Sequence, residues 1–287
     1  MPELITTSLE MSTFARSRGK RNLSLVPTMG ALHDGHHALV DVAKKESDLT
    51  VVSIFVNPTQ FGPNEDLDRY PRTLEQDIAA LNQRGGVDAV FAPSVRDMYP
   101  DGPDRQLVWV TPSSMADVLC GAFRPGHFRG VATVVTKLFA VCQPDSAVFG
   151  LKDAQQFVIL SKLVRDLGFQ IRMVGVPTVR EADGLALSSR NRFLSKEERE
   201  QSVVLSRAVG EAKRAIESGE RDADEVRRIL NETIDESDLA LTQYVDVTDA
   251  RTLQPLQAIR KGQHVLSAVA VFFGSTRLID NSFSIAG

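Results

Sequence analysis

The first 177 residues alternate short apolar runs with segments of helical periodicity, and this alternation restricts the fold more than any other feature of the chain. Residues 50–56 are almost continuously apolar, which is typical of a strand covered on both faces. Residues 36–45 lie between this run and the shorter run 23–26. They have helical spacing and end in lysines, which suit a helix C-terminus. The three segments predict a βαβ unit with a right-handed crossover.

The same pattern continues to Pro177 and then changes. Further helices are predicted at residues 74–84, 131–141 and 154–167, and further strands at 89–91, 146–149 and 171–176. This alternation predicts an α/β fold, a Rossmann-like doubly wound parallel sheet. Beyond Pro177, charged helical segments followed by strand-like runs predict a smaller C-terminal α+β domain. They lie at residues 196–218, 223–236, 244–247, 264–273 and 277–280. We therefore predict two domains, at residues 1–178 and 179–287.

Composition excludes several functional classes. Lys plus Arg number 33 and Asp plus Glu number 37, a net charge of −4, which argues against a general binder of nucleic acid or of an anionic membrane. Cys120 and Cys142 lie in no metal-ligand spacing and are too few for a disulfide framework, which fits a reducing cytoplasm. No stretch approaches the roughly 18 apolar residues of a membrane span, so neither a membrane partner nor export is predicted.

Residues 27–36, Pro-Thr-Met-Gly-Ala-Leu-His-Asp-Gly-His, join the first strand to the first predicted helix. Gly30 and Gly35 have P-loop spacing, but histidines stand where the lysine and hydroxyl residue of a P-loop belong, and no GxGxxG is present. At this position free backbone N–H groups and the helix dipole would attract phosphate. His33 and His36 would offer imidazole N–H groups to it. The alternatives are exposed polar residues at a helix start, or half of a metal site.

A second polar segment, residues 56–61, follows the second predicted strand. Pro58 ends the strand, and the amides of Asn57 and Gln60 can hold the hydroxyl or carboxylate oxygens of a small polar ligand. Taken alone, the segment is also compatible with an ordinary strand-ending turn.

Two more segments are suited to anions. In residues 149–156, Lys152 supplies a point charge for phosphate, and Asp153 either caps the next helix or accepts from ribose hydroxyls. In residues 187–191, Ser188, Ser189 and Arg190 could clamp a triphosphate from the domain junction, although an ordinary interdomain loop has the same composition.

Together these segments resemble the pantoate–β-alanine ligase family over nearly the whole chain. The resemblance rests on PTMGALHDGH, FVNPTQFGPNEDLDRYPRT, FGLKDAQQ and VPTVREADGLALSSRNRFL. The HxGH element alone marks the wider nucleotidylyltransferase superfamily. The resemblance implies an enzyme that condenses (R)-pantoate with β-alanine to pantothenate, through a pantoyl adenylate, with release of AMP and pyrophosphate. No protein nucleophile is needed, so catalysis would consist of alignment and charge stabilisation.

The resemblance also implies roles for individual residues. His36 is expected as proton donor, with His33 and Lys152 as the other catalytic residues. The ATP-binding residues that it implies are Met29, Gly30, His33, Gly35, His36, Gly150, Lys152, Asp153, Val179, Leu187, Ser188, Ser189 and Arg190. The pantoate and β-alanine residues that it implies are Asn57, Gln60, Tyr70, Arg124 and Gln156.

The resemblance further implies Mg²⁺ with ATP, a homodimer, and a C-terminal domain that acts as a lid. Asp77 is the one candidate metal ligand, because Gln76 and Ala80 stand where some members carry further ligands. Leu151 and Ala154 depart from the family pattern beside the predicted phosphate lysine. Two alternatives remain open: a nucleotidylyltransferase that forms a stable adduct without an amine, and a non-catalytic nucleotide-binding module.

Overall fold

The computed structural model describes residues 1–63, 65 and 67–287, so Asn64 and Asp66 of the FVNPTQFGPNEDLDRYPRT segment lie outside the described residues. The chain forms two compact units. The first consists of Met1–Ala116, Arg124–Leu151 and Ile159–Pro177. The second consists of Asp117–Phe123, Lys152–Val158 and Thr178–Gly287. The division into domains at residues 178 and 179 stays a prediction.

The first unit contains a six-stranded sheet in which every pair of neighbouring strands is parallel. Its strands are β1 (Glu3–Ile5), β2 (Leu23–Thr28), β3 (Leu49–Ile54), β4 (Ala89–Phe91), β5 (Ser146–Gly150) and β6 (Arg172–Val176). Their order is β1-β4-β3-β2-β5-β6. This confirms the predicted doubly wound sheet. Strand β1 was not predicted, because a strand of three residues at the sheet edge is too short to show a pattern of apolar and polar residues.

The helices up to Asp166 connect these strands. They are α1 (Ser8–Ser17), α2 (Asp34–Glu46), α3 (Leu74–Arg84), α4 (Val95–Met98), α5 (Cys120–Phe123), α6 (His127–Cys142) and α7 (Ala154–Asp166). Helix α2 buries Leu39, Val40 and Ala43 in a core with residues of β2, β3, β4 and β5, which is the stripe that the helical spacing indicates. Within the described chain, no helix is both long and apolar enough to cross a bilayer.

The strand order reverses between β2 and β5. Strand β2 pairs with β3 over its full length, but its register with β5 covers only Ser24 with Ser146 and Leu25 with Ala147. In doubly wound sheets, ligands bind outside the carboxyl ends of the strands at this reversal. The loop that starts after Thr28 therefore leaves the sheet where a ligand is expected.

The second unit contains the antiparallel sheet β7 (Ala240–Asp249), β8 (His264–Phe273) and β9 (Thr276–Ile285), in that order. Besides α5 and the first part of α7, it contains the helices α8 (Lys196–Gln201), α9 (Val204–Glu217) and α10 (Ala223–Ile234). These elements confirm the smaller α+β part of the fold. The single helix predicted over residues 196–218 is wrong. At the break between α8 and α9, Leu205 and Ser206 bond to carbonyls three residues earlier, which interrupts the α-helical pattern.

Helix α6 approaches the backbone after β3 so closely that only glycine fits at position 130. A Cβ on Gly130 would lie 2.2 Å from the carbonyl oxygen of Thr59. We expect Gly130→Ala to lower the free energy of unfolding by about 1–3 kcal/mol in urea titrations, because the backbone must move. Gly210→Ala is the control, since a Cβ there meets only the Arg214 side chain, at 3.7 Å. That change is expected to be neutral or stabilising by up to about 1 kcal/mol. Equal unfolding midpoints for Gly130→Ala and the unaltered protein would contradict the prediction.

Candidate active site

Helix α2 begins with two histidines that cap each other. The Nδ1 atom of His33 accepts a hydrogen bond from the backbone N–H of Gly35, at 3.1 Å. The Nδ1 atom of His36 accepts one from the backbone N–H of His33, at 3.3 Å. The two ring centroids lie 4.1 Å apart. The imidazoles thus take the place of the Ser/Thr and Glu side chains of an ordinary capping box.

These bonds determine which ring nitrogen carries the proton. A nitrogen that accepts a backbone hydrogen bond is unprotonated, so the neutral rings of His33 and His36 carry their protons on Nε2. Both side chains are half-buried. The pair therefore provides two oriented Nε2–H donors, which suit the oxygens of a phosphate group.

The backbone amides of the preceding loop are already used within the protein. Ala31 and Leu32 donate to the carboxylate of Asp77, at 3.0 and 2.8 Å, and Gly30 donates to the hydroxyl of Thr28, at 3.2 Å. The expectation that free backbone amides of this loop attract phosphate is wrong for these three residues, because side chains occupy them. The imidazoles are the donors on which an anion site here would depend.

Asp77, the predicted metal ligand, is 4% exposed. Besides the two amides, it accepts a hydrogen bond from the hydroxyl of Thr73, at 3.2 Å. Among residues 1–63, 65 and 67–287, no group of three or more His, Cys, Asp or Glu side chains could hold a metal ion. The described residues do not fit a metal held by protein side chains, and the ligand role of Asp77 stays a prediction.

The amides after β3 form a hydrogen-bonded chain. The Oδ1 atom of Asn57, which is 1% exposed, accepts from the hydroxyls of Tyr99 and Thr59, at 2.7 and 3.0 Å. Its Nδ2 donates to Oε1 of Gln60 at 3.1 Å, and Nε2 of Gln60 lies 3.1 Å from Sδ of Met29. Burial raises the pKa of Tyr99, so the phenol stays a donor. The structure thus brings together Met29, Asn57 and Gln60, with the Asn57 amide held in one orientation.

Arg124 lies against the backbone of Gln60. It forms a two-pronged ion pair with Glu65, with 2.7 Å between Nε and Oε1 and 2.5 Å between Nη2 and Oε2, and Nη2 donates to the Gln60 carbonyl at 3.3 Å. Burial raises the pKa of Glu65, but the hydrogen bond and charge of Arg124 outweigh it and hold the pKa below its usual value. Tyr70 is buried and packs edge-on against Phe61, with ring centroids 5.9 Å apart. Both predicted residues therefore lie beside the amide segment.

The second unit anchors Lys152 through its backbone. The carbonyl oxygen of Lys152 accepts from Nδ2 of Asn281, on β9, at 2.8 Å. The Lys152 side chain is half-buried and Asp153 is exposed, and both belong to the 3-10 turn Leu151–Asp153 that runs directly into α7. Gly150 ends β5 in the first unit.

The two glutamines of the same segment differ in their surroundings. Gln155 is buried and holds the segment before α5, since its Oε1 accepts from the N–H of Cys120 at 3.0 Å and its Nε2 donates to the carbonyl of Val118 at 2.7 Å. Gln156, the predicted pantoate residue, is half-buried, and Ala154 is buried. Gln155 therefore has a structural role, which leaves Gln156 as the candidate ligand.

The other predicted residues of the second unit form one loop. The N–H of Leu187 bonds to the carbonyl of Val179 at 2.9 Å, and the Ser188 hydroxyl accepts from the N–H of Arg190 at 3.2 Å. Ser188 thereby caps the 3-10 helix Ser189–Phe193. These contacts bring Val179 together with the residues from Leu187 to Arg190.

A partly buried ion pair, not anticipated from the sequence, ties this loop to β9. Arg180 donates to both carboxylate oxygens of Asp280, at 2.7 and 3.0 Å, and the Asp280 side chain is 1% exposed. Asp280 is the neighbour in sequence of Asn281, which holds Lys152. Two adjacent residues of β9 thus hold two different segments: Asp280 binds Arg180, and Asn281 binds the turn that contains Lys152. The sequence signal was weak: an acidic residue and an amide follow the apolar pair Leu278 and Ile279.

Comparison with known proteins identifies the family. A family model described as pantoate–β-alanine ligase matches residues 3–283. A pantothenate synthetase of Salinibacter ruber is 58% identical over 273 residues, which are 94% of this chain and 92% of that protein. One of Moorella thermoacetica is 50% identical over 281 residues, 97% of each chain.

Solved structures agree with these sequence matches. The pantothenate synthetase of Thermus thermophilus superposes with a TM-score of 0.88 at 43% identity, covering 98% of each chain. A pantoate–β-alanine ligase of Francisella tularensis, complexed with β-γ ATP and β-alanine, has a TM-score of 0.78 at 35% identity and covers 98% of this chain and 97% of that one. With the family match spanning nearly all of its residues, this chain belongs to the pantoate–β-alanine ligase family.

Proposed function

We propose that this protein condenses (R)-pantoate with β-alanine in two steps. First, a carboxylate oxygen of pantoate attacks the α-phosphorus of ATP, and the bond to the β-phosphate oxygen breaks, so that pyrophosphate leaves with the electron pair. Second, the amine of β-alanine attacks the acyl carbon of pantoyl adenylate, the bond to AMP breaks, and the amine loses a proton. The products are pantothenate, AMP and pyrophosphate. The ligase activity follows from family membership, and the adenylate route is our proposal.

The reciprocal caps of His33 and His36 are the observation that carries this proposal. Adenylation needs no protein nucleophile, so the protein must align the reactants and stabilise charge on the phosphates. Two Nε2–H donors, fixed by backbone hydrogen bonds where the strand order reverses, suit that task without reorganising. For the proton-donor role that the resemblance implies, we propose that His36 offers its Nε2–H to the leaving pyrophosphate oxygens as a hydrogen bond, since a neutral imidazole keeps that proton. Met29, Gly30 and Gly35 contribute the surrounding wall of the ATP site.

The amide chain is suited to pantoate. Tyr99 and Thr59 hold Oδ1 of Asn57, which directs its Nδ2 toward Gln60. Asn57, Gln60 and Gln156 would bind the hydroxyl and carboxylate oxygens of pantoate. Arg124 and Tyr70 would border the β-alanine position. The Francisella tularensis ligase was solved with β-alanine, which supports a defined place for that substrate.

The triphosphate is assigned to Lys152 and to the loop of Ser188, Ser189 and Arg190. Lys152 would act as a point charge for the transition state, and the loop would supply hydroxyl and guanidinium donors. Gly150 and Asp153 would contact the ribose, and Val179 and Leu187 the nucleotide pocket. The Asn281 and Asp280 anchors on β9 support this assignment, because preorganised groups stabilise charge best.

A divalent metal ion is expected with ATP, and we propose Mg²⁺, held mainly by phosphate oxygens and water. The described residues offer no cluster of side-chain ligands for it. We further propose a cytoplasmic homodimer, with the C-terminal part of the chain, residues 179–287, acting as a lid.

Isotope exchange between pyrophosphate and ATP tests the adenylate step. With pantoate present and β-alanine absent, we expect exchange that depends on pantoate, because the first step must be reversible before the amine arrives. Adding β-alanine should divert the adenylate to pantothenate and AMP. Cytidine 5′-triphosphate in place of ATP is a control for a nonspecific nucleotidyl transfer.

Equally fast exchange without pantoate would overturn the ordered adenylation. No exchange under either condition, together with normal pantothenate formation, would instead indicate a concerted reaction.

A further inference from the structure

The loop after β2 contains two consecutive residues in the left-handed region. Gly30 has φ +81° and Ala31 has φ +50°. Glycine adopts this conformation readily, but the Cβ of an alanine crowds the backbone there. Some interaction must therefore hold Ala31 in place immediately before the histidine pair.

Asp77 supplies that interaction. Its Oδ2 accepts the N–H of Ala31 and its Oδ1 accepts the N–H of Leu32, at 3.0 and 2.8 Å, and the Thr73 hydroxyl completes the set. Consecutive amides in such a turn form a concave anion-binding site. Here the anion is a carboxylate of the protein itself, delivered by the first turn of α3.

The contact between loop and carboxylate is close. A Cβ on Gly30 would lie 3.1 Å from Oδ2 of Asp77 and 3.0 Å from Cγ2 of Ile54. The loop therefore packs directly on the carboxylate and on β3. Its next residue is His33, the cap of α2, so the path of the loop sets where the imidazoles stand.

We propose that Asp77 is a positioning residue for nucleotide binding. It holds the loop from Gly30 to Leu32 in place, with Gly30 and Ala31 in the left-handed region of φ. The loop in turn places the Nε2–H donors of His33 and His36. Its charge is used on backbone amides rather than on a metal ion. This inference rests on the proposed ATP site.

Asp77→Asn tests the role, because the amide keeps the shape but can accept at only one of its two positions. We expect the Kd of a nonhydrolysable ATP analogue, measured by calorimetry, to rise about tenfold through loss of a charge-assisted bond. The titration is run once with excess Mg²⁺ and once with EDTA. A positioning residue weakens binding in both conditions, whereas a metal ligand weakens it only with Mg²⁺.

Two further variants, a matched control and a rescue, distinguish a positioning role of Asp77 from a metal-binding role. Asp97→Asn alters another carboxylate that accepts a backbone N–H, that of Ser8, at both of its oxygens, and it should leave the Kd unchanged. Adding Ala31→Gly to Asp77→Asn should restore part of the affinity, because glycine adopts the positive φ of position 31 without the steric cost of a Cβ atom. A lost metal ligand would not be restored by that change.

Unchanged binding in EDTA for Asp77→Asn, with a defect confined to Mg²⁺, would overturn the proposal, as would absence of any rescue by Ala31→Gly. Where Asp77→Asn fails to fold, Thr73→Val replaces it, with an expected rise in Kd of roughly two- to fivefold in both conditions. No change in that variant also overturns the proposal. Because the readout is binding, it stays separate from the exchange experiment: a failed adenylation would leave these affinities interpretable.

Discussion

Lys152→Ala is expected to lower kcat for pantothenate formation on the order of 10²-fold or more, as loss of a preorganised charge stabiliser does. The backbone of Lys152 is held by Asn281 through its carbonyl oxygen, so truncating the side chain should leave the turn in place. A charge that acts in the transition state affects kcat more than the KM for ATP. Steady-state kinetics with ATP varied at saturating pantoate and β-alanine separate the two, and single-turnover measurements show whether adenylation is the slowed step.

The control is Lys162→Ala on α7, the helix that follows the Lys152 turn. Lys162 is exposed and pairs with Asp166 at 2.7 Å, a surface ion pair of little energetic weight. Its replacement should leave kcat within about twofold of the unaltered protein. If Lys152→Ala, shown to be folded by its circular dichroism and unfolding curve, also keeps a near-normal kcat, the assignment of Lys152 is wrong.

Much of the sheet could be predicted because its strands are buried on both faces. Strand β3 is buried at five of its six positions and reads as a nearly unbroken apolar run, so its type and approximate place follow from composition. The exposed edge strand β1 has no such run. The junction between α8 and α9 was missed for a different reason: residues 196–208 contain no glycine or proline to mark it, while a change in hydrogen-bond spacing near Ser202 breaks the helix.

The candidate site residues could be proposed from the sequence, whereas the residues that support them could not. Histidines, amides and a lysine at strand ends are visible as local motifs. Their supports come from distant parts of the chain: Tyr99 lies 42 positions from Asn57 and Asp280 lies 100 positions from Arg180. No local pattern links such pairs. Asp77 shows the same effect, because the family resemblance suggested a metal ligand, while its partners are backbone amides that no sequence pattern reveals.

The histidine pair caps α2, and we propose a chemical role for it as well; two substitutions at His36 should separate the two roles. His36→Gln keeps an acceptor at the third helical position, where glutamine serves in ordinary capping boxes. We expect it to retain most of the stability while kcat falls on the order of 10²-fold or more, because the glutamine amide N–H is more flexible and does not stand where the imidazole Nε2–H stood. His36→Ala should lose the same activity and also about 0.5–2 kcal/mol of unfolding free energy, since the His33 amide loses its partner.

His37→Gln is the neighbouring control, since His37 lies outside the proposed site and its ring faces Asp34, with 3.6 Å between Nδ1 and Oδ1. Urea unfolding and steady-state turnover of the three variants give stability and rate independently. A chemical role for His36 requires both of its variants to be slow and only the alanine variant to be clearly less stable. Should His36→Gln turn over like the unaltered protein, an amide can replace the imidazole both as cap and as N–H donor, and the proposed catalytic role of the fixed imidazole is wrong.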